Sequence, residues 1–224
     1  MGVAPLAPRA GTRYKCAMPN PPRITSPPDL DHIRRSLAAV SSADPEHAAY
    51  AAVALVLAGE AAALSLCLIR RAERESDRWS GHVALPGGRV DPADASPLDA
   101  AMRETREEVG IRLGRPALLG SLGAQPINRI ARPGDPSLSA YVFYAGETLG
   151  RLAPNHEVAE AFWVPLAHLL DRRNAGYRQV ARDGASYDSP AVLYEGHHIW
   201  GLTYRVLTLF FERLRLRIAR PETG

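Results

Sequence analysis

Apolar residues recur along this chain in two rhythms, one helical and one strand-like. Residues 29–40 carry Leu30, Ile33, Leu37 and Val40 in phase on one side of a short amphipathic helix. Residues 51–57 and 64–69 are nearly unbroken apolar runs joined around Gly59-Glu60, which predicts two buried strands. A charged loop follows over 70–80, then a strand over 82–85. The next rhythm is helical again. Ser96, Pro97 and Asp99 have the order of an N-cap, a first helical residue and a first-turn acid, and Gly110 is placed to end the helix. Between them Leu98, Ala101, Met102, Thr105 and Val109 form one packing stripe. Further strands are expected over 117–124, 138–144 and 161–164, with a loop over 128–136 marked by Pro133-Gly134-Asp135-Pro136. A short helix over 165–170 precedes a hairpin of 177–182 and 191–194, whose turn lies at Asp183-Gly184. The last helix is expected over 203–218, with Leu207, Phe210, Phe211 and Leu214 inward. Short strands around one charged helix and one terminal helix predict an α+β fold, an α/β/α sandwich with a mixed β-sheet.

Composition changes this picture at the chain ends. Residues 1–28 are rich in Pro and Arg and contain no acid, which predicts a disordered basic tail. A single domain over 29–218 and a short C-terminal tail over 219–224 complete the expected organisation. An apolar content of 46% is enough for a real core, and the net charge is only +3. Lys15 is the only lysine, and the arginines are scattered without interleaved aromatics, so no nucleic-acid surface is read. Cys16 stands in a polar tail and Cys67 in an apolar strand, which argues against a disulfide and fits a reducing, cytoplasmic setting. No apolar run reaches the length of a membrane span. The sequence leaves a homodimer open.

Candidate chemistry concentrates on the capped helix. Glu104, Glu107 and Glu108 share a face at positions i, i+3 and i+4. Three like charges repel, and a cluster of carboxylates without imidazole suits Mg²⁺ or Mn²⁺ better than zinc. Arg103 stands four residues before Glu107 and is placed to orient it, while Pro86-Gly87-Gly88 lets backbone approach a metal or phosphate. A solvated acidic helix face is the plainer explanation of the glutamates alone. The glycine turn, the cap and Arg103 together favour a site.

The stretch from Leu85 to Ile111, LPGGRVDPADASPLDAAMRETREEVGI, resembles the signature box of Nudix hydrolases. The half from Arg103 to Ile111 follows the pattern closely. The half after Gly88 carries a one-residue insertion around Asp91-Pro92-Ala93-Asp94, which resembles the coenzyme A diphosphatase branch. Arg71, Ala72 and Gly81 upstream fit that branch, as does Ile199-Trp200-Gly201-Leu202-Thr203 downstream; Asp77-Arg78-Trp79-Ser80 and Leu85 depart from it. The resemblance covers about 46–216 and implies the Nudix α/β/α sandwich.

It also implies metal-dependent hydrolysis of a diphosphate joined to a nucleoside. Arg103, Glu104, Glu107 and Glu108 would be catalytic, with Glu104, Glu107, Glu108 and the Gly88 carbonyl on Mg²⁺ or Mn²⁺. One of these glutamates or Glu157 would be the base. Asp91 and Asp94 compete for the acid position of the first half. Arg71, Arg78, Arg89 and Gly87 would meet the substrate. His82 and His156 flank the site, and Trp200 is expected as a core aromatic anchoring the last helix. The branch implies coenzyme A or acyl-CoA as the small-molecule partner, cleaved to 3′,5′-ADP and 4′-phosphopantetheine. ADP-ribose or NADH is the alternative, and a non-catalytic nucleotide-binding module is a weaker one.

Overall fold

The structure is a computed structural model that describes residues 26–38, 49–75, 79–128, 132, 134–182 and 185–221. Helix α1 (Leu30–Ala38) leads into strands β1 (Ala51–Ala58), β2 (Ser65–Arg71), β3 (Val83–Ala84) and β4 (Gly87–Arg89), then helix α2 (Pro97–Val109). Strands β5 (Leu118–Pro126), β6 (Ser137–Tyr144) and β7 (Val158–Pro165) follow, with helix α3 (Leu166–Leu170). Strands β8 (Ala175–Arg182), β9 (Ala185–Tyr194) and β10 (His197–Trp200) precede helix α4 (Gly201–Arg213).

The first seven strands make one mixed sheet. Its centre is the parallel pair β1–β6, in register from Ala51↔Leu138 to Leu57↔Tyr144. A parallel neighbour requires a long crossover and is covered on both faces, which is why β1 reads as an unbroken apolar run. The other edge of β1 is shared. It pairs with β2 only at Leu57↔Leu66 and Ala58↔Ser65, and with β4 at Ala51–Val53. The segment running from β3 on β2 to β4 on β1 crosses between two diverging strands. This crossing sets the Pro86-Gly87-Gly88 turn under α2.

Alternation along the strands separates two cores. Ala52, Ala54, Val56, Cys67, Ile69, Tyr141 and Phe143 face α2, where they meet Leu98, Ala101 and Val109. Leu55, Leu57, Leu66, Leu68, Ala140 and Val142 face the opposite layer of α1, α3 and α4. This is the expected α/β/α sandwich with a mixed sheet.

The expected hairpin is present as β8 and β9, with β9 starting at Ala185 and not at residue 191, and β10 completes it as a separate three-stranded antiparallel sheet; its expected turn at Asp183-Gly184 lies outside the described residues. The last helix stops at Arg213, because the chain reverses at Leu214 and Arg215 has a φ of 57°. The apolar residues beyond, Leu216, Ile218 and Ala219, are buried, and the Ala219 N–H donates to the Leu169 carbonyl at 2.8 Å. The folded body therefore includes Ala219, which was assigned to the tail. At the other end Ser26 and Pro27 are exposed and Pro28 is already buried; residues 1–25 of the expected basic tail, and Val40, lie outside the described residues.

Candidate active site

Helix α2 is held at both ends by its own sequence. Ser96 Oγ accepts from the Asp99 N–H at 3.3 Å, Pro97 fills the first turn, and Gly110 closes the helix at φ 76°. Of the predicted packing stripe, Leu98, Ala101, Thr105 and Val109 are buried and Met102 is partly so, while Ala100 and Glu108 are buried beside them; Thr105 Oγ1 donates to the Ala101 carbonyl at 2.7 Å.

Arg103 is the hub of the acidic face. Its Nε and one Nη donate to the two carboxylate oxygens of Asp94, each at 2.9 Å. The other Nη donates to Glu104 at 2.9 Å and Glu107 at 3.2 Å. Asp94 is thus the acid that the helix uses. Asp91 instead shapes the turn, where its Oδ1 accepts from the Ala93 N–H and its own N–H donates to Asp94. The forked bond to Arg103 holds the Asp94 carboxyl below its ordinary value. In return Arg103 is held firmly in its charged form.

The three box glutamates occupy different environments. Glu108 is 2% exposed, and its Oε2 accepts from the Gly87 N–H at 2.8 Å. Burial, with Glu104 and Glu157 nearby, pushes its acid up to about 8. Glu104 is half-buried beside Gly88, and burial raises it against the pull of Arg103. Glu107 is exposed. Their mutual repulsion is relieved here by Arg103 and by the rise of Glu108. Among the described residues no three Asp, Glu, His or Cys side chains are gathered as a ready-made cation site.

Glu157 joins this group from the loop before β7. Its charge is felt by both Glu104 and Glu108. That loop is tied to the end of α2, since the Ala153 N–H donates to Val109 and the Asn155 N–H to Glu108. Arg74 grips the Glu157 carboxylate at 3.0 Å. Neither Arg74 nor Asn155 was singled out by sequence: their neighbours in the chain are ordinary charged and polar loop residues, and only tertiary structure joins them to Glu157.

The remaining candidates divide. Arg71 lies close enough to Glu108 to favour its charged form. Arg89 is exposed and lies over the Tyr50 ring at 5.1 Å, while its carbonyl accepts from Arg103. Gly87 gives its N–H to Glu108, so that donor faces the helix and not a substrate. Arg78 lies outside the described residues. His156 is largely exposed beside Glu157. His82 packs edge-on to Trp200 at 4.8 Å. Trp200 is half-buried at the start of α4 and lines a cavity, so it is not the core aromatic expected.

Comparison with known proteins settles the family. The NUDIX domain model matches residues 47–184. This chain belongs to the Nudix family. The chain is 36% identical over 198 residues to the human mitochondrial coenzyme A diphosphatase NUDT8, covering 85% of this chain and 78% of that protein. The mouse mitochondrial coenzyme A diphosphatase NUDT8 is 34% identical over 176 residues, 74% and 82% of the two chains. Among solved structures, a MutT/nudix family protein from Enterococcus faecalis superposes with a TM-score of 0.51 at 18% identity, over 83% of this chain and 69% of that one. This last likeness shows the shared Nudix fold. Among the described residues of this Nudix hydrolase, no helix is long and apolar enough to cross a membrane.

Proposed function

We propose that this Nudix hydrolase cleaves the diphosphate of coenzyme A or an acyl-CoA, giving 3′,5′-ADP and a 4′-phosphopantetheine product. The observation that carries the substrate is the similarity to two mitochondrial coenzyme A diphosphatases, which spans most of both chains. The Asp91–Asp94 turn agrees with it, because the inserted residue is accommodated while Asp94 still reaches Arg103.

The donor set fits a divalent cation. Glu104, Glu107, Glu108 and Glu157 bring hard oxygen ligands into one neighbourhood: burial is the main cause that raises Glu104 and Glu108, and the charges of the neighbouring carboxylates, which a cation would offset, add to it. Glu104, Glu107 and Glu108, with the Gly88 carbonyl, would hold Mg²⁺ or Mn²⁺. A cation there neutralises charge developing on the phosphate oxygens and leaving group. Arg103 fixes Glu104 and Glu107 by its hydrogen bonds. Glu157, steadied by Arg74, is placed to accept a proton from the attacking water. Arg71, next to Glu108, is the arginine best placed to meet a phosphate. The cytoplasmic setting rests on the cysteines alone, and the two relatives are mitochondrial by name.

The test is kcat/KM for coenzyme A, dephospho-coenzyme A and ADP-ribose with Mg²⁺ or Mn²⁺. A charge-assisted contact to the 3′-phosphate is worth about 1.5–3 kcal/mol, so coenzyme A should lead by roughly ten- to a hundredfold. Equal or better turnover of ADP-ribose would remove the coenzyme A reading and leave the hydrolase.

A further inference from the structure

A second cluster of basic and aromatic residues lies on the other face of the sheet from the box glutamates. Side chains alternate along β2: Cys67 and Ile69 belong to the core under α2, and Leu66 and Leu68 to the opposite core. Arg71 follows the first set, opposite Val158, and Arg70 the second, opposite Glu160. Arg70 therefore points away from Glu108, towards the small sheet of β8, β9 and β10. There it lines a cavity of about 160 Å³ together with Arg178, His82, His197, His198 and Trp200. That volume takes several waters or one phosphate group.

We infer that this cavity is a separate anion site that takes a phosphate group, either free or as a phosphomonoester. None of the described residues lining it is acidic, while two are arginines and three are histidines. The arginines arrive from different strands, Arg70 on β2 and Arg178 on β8, so their convergence is a product of the tertiary fold. Arg178 lies over the Trp200 ring at 5.9 Å, which draws its cation against the cavity wall. Burial and, after it, the charge of Arg178 push His198 below its ordinary value, which favours its neutral ring. His197 is fixed by stacking on Phe162 at 4.8 Å.

One carboxylate restrains the site from behind. Glu160 Oε2 stands 3.6 Å from Arg70 and 3.3 Å from His197 Nε2. It already satisfies part of the positive charge, and it supplies the decisive variant. Forked guanidinium donors match phosphate oxygens, so removing a competing carboxylate should strengthen an anion's hold.

The experiment is calorimetric titration of the full chain, freed of divalent cations with EDTA, with orthophosphate and separately with adenosine 5′-monophosphate. Ionic strength is held constant with chloride. Wild-type protein should bind phosphate in the millimolar range or tighter. Arg178→Ala should weaken binding about tenfold or more, as loss of a charge-assisted bond does. Glu160→Gln should tighten it severalfold, a gain that misfolding cannot imitate. Adenosine monophosphate binding clearly tighter than phosphate assigns the site to a nucleotide, with Trp200 under the base; equal affinities assign it to the phosphate group alone. Absent binding in the wild type, or equal binding in wild type, Arg178→Ala and Glu160→Gln, overturns the inference. Hydrolysis is not read, so the result is independent of the substrate proposed above.

Discussion

A carboxylate taken out of water must be paired, bonded or protonated. Among the described residues Glu108 accepts one backbone N–H, from Gly87, and burial pushes its acid up to about 8. In the unfolded chain a glutamate titrates near 4.3. The folded value is the higher, so the folded chain binds the proton more tightly. The stability this provides is complete below about pH 4.3 and is lost as pH rises through 8. It is on the order of a few kcal/mol. Protein treated with EDTA should therefore melt at falling temperature from pH 5 to pH 8. The fall should exceed that of Glu108→Gln by roughly 5–10 °C, since an amide keeps the Gly87 bond but does not titrate in this range. Parallel profiles would refute the assignment. Asp94, held low by Arg103, acts in the opposite sense and only at more acidic pH, so the chosen window avoids it. The exposed Glu107 should behave differently. Glu107→Gln should lower turnover by orders of magnitude and move the melting temperature by about 1 °C or less. The spacing of the glutamates identified them as a group, but not the separation of their environments. A signal for it was present: Glu108 lies three residues beyond Thr105 and seven beyond Ala101, at the margin of the apolar stripe.

At the scale of elements, α2 was legible because its caps and stripe are local. The short strands β4 and β10 were not, because three or four residues carry too little pattern and their partners are distant in sequence. The turn before α2 shows how two adjacent glycines do different work. A Cβ on Gly87 would stand within the backbone of β1, 2.3 Å from the Ala52 oxygen, and φ is 148° there. Neither backbone can give way, so Gly87→Ala should cost more than about 3 kcal/mol and leave little soluble protein. A Cβ on Gly88 would meet the Glu104 carboxylate at 2.5 Å, the movable end of a side chain. Gly88→Ala should fold, displace that carboxylate and lose at least about tenfold in kcat. Expression, melting and turnover of the pair check both outcomes, and a fully active Gly88→Ala would remove Glu104 from the site. Thr105→Lys tests the rotation of the helix. Thr105 is fully buried, so an unpaired ammonium there should abolish soluble expression, whereas a normal melt would show that the pocket opens to water.

Over the whole molecule, the short strands set around one charged helix and one terminal helix pointed to a mixed sheet between helices. The sequence did not show how the layers are fastened, because those contacts join residues far apart in the chain. Thr203 Oγ1 donates to the Val83 carbonyl at 3.0 Å, which ties α4 to the strand entering the box. The segment after α4 then crosses back over the core. Leu216 donates to the Phe211 carbonyl at 2.8 Å, and the Ala219 carbonyl accepts from the Tyr204 hydroxyl at 3.0 Å. Leu216 and Ile218 are 7% and 6% exposed, and the apolar pattern that made them look helical reflects this burial in a segment that is not helical. Burying a Leu or Ile contributes about 1.5–3 kcal/mol, so the two together are a sizeable share of the net stability of an ordinary domain, about 5–15 kcal/mol. A chain ending after Arg215 should melt roughly 10 °C or more below the full chain, or fail to fold. A chain ending after Pro221 keeps Leu216, Ile218 and Ala219 and should melt with the full chain. Calorimetric melts of the three chains at one pH make the comparison. If the chain ending after Arg215 melts at the full-length temperature, the segment is a passive extension, and α4 holds the sheet without it.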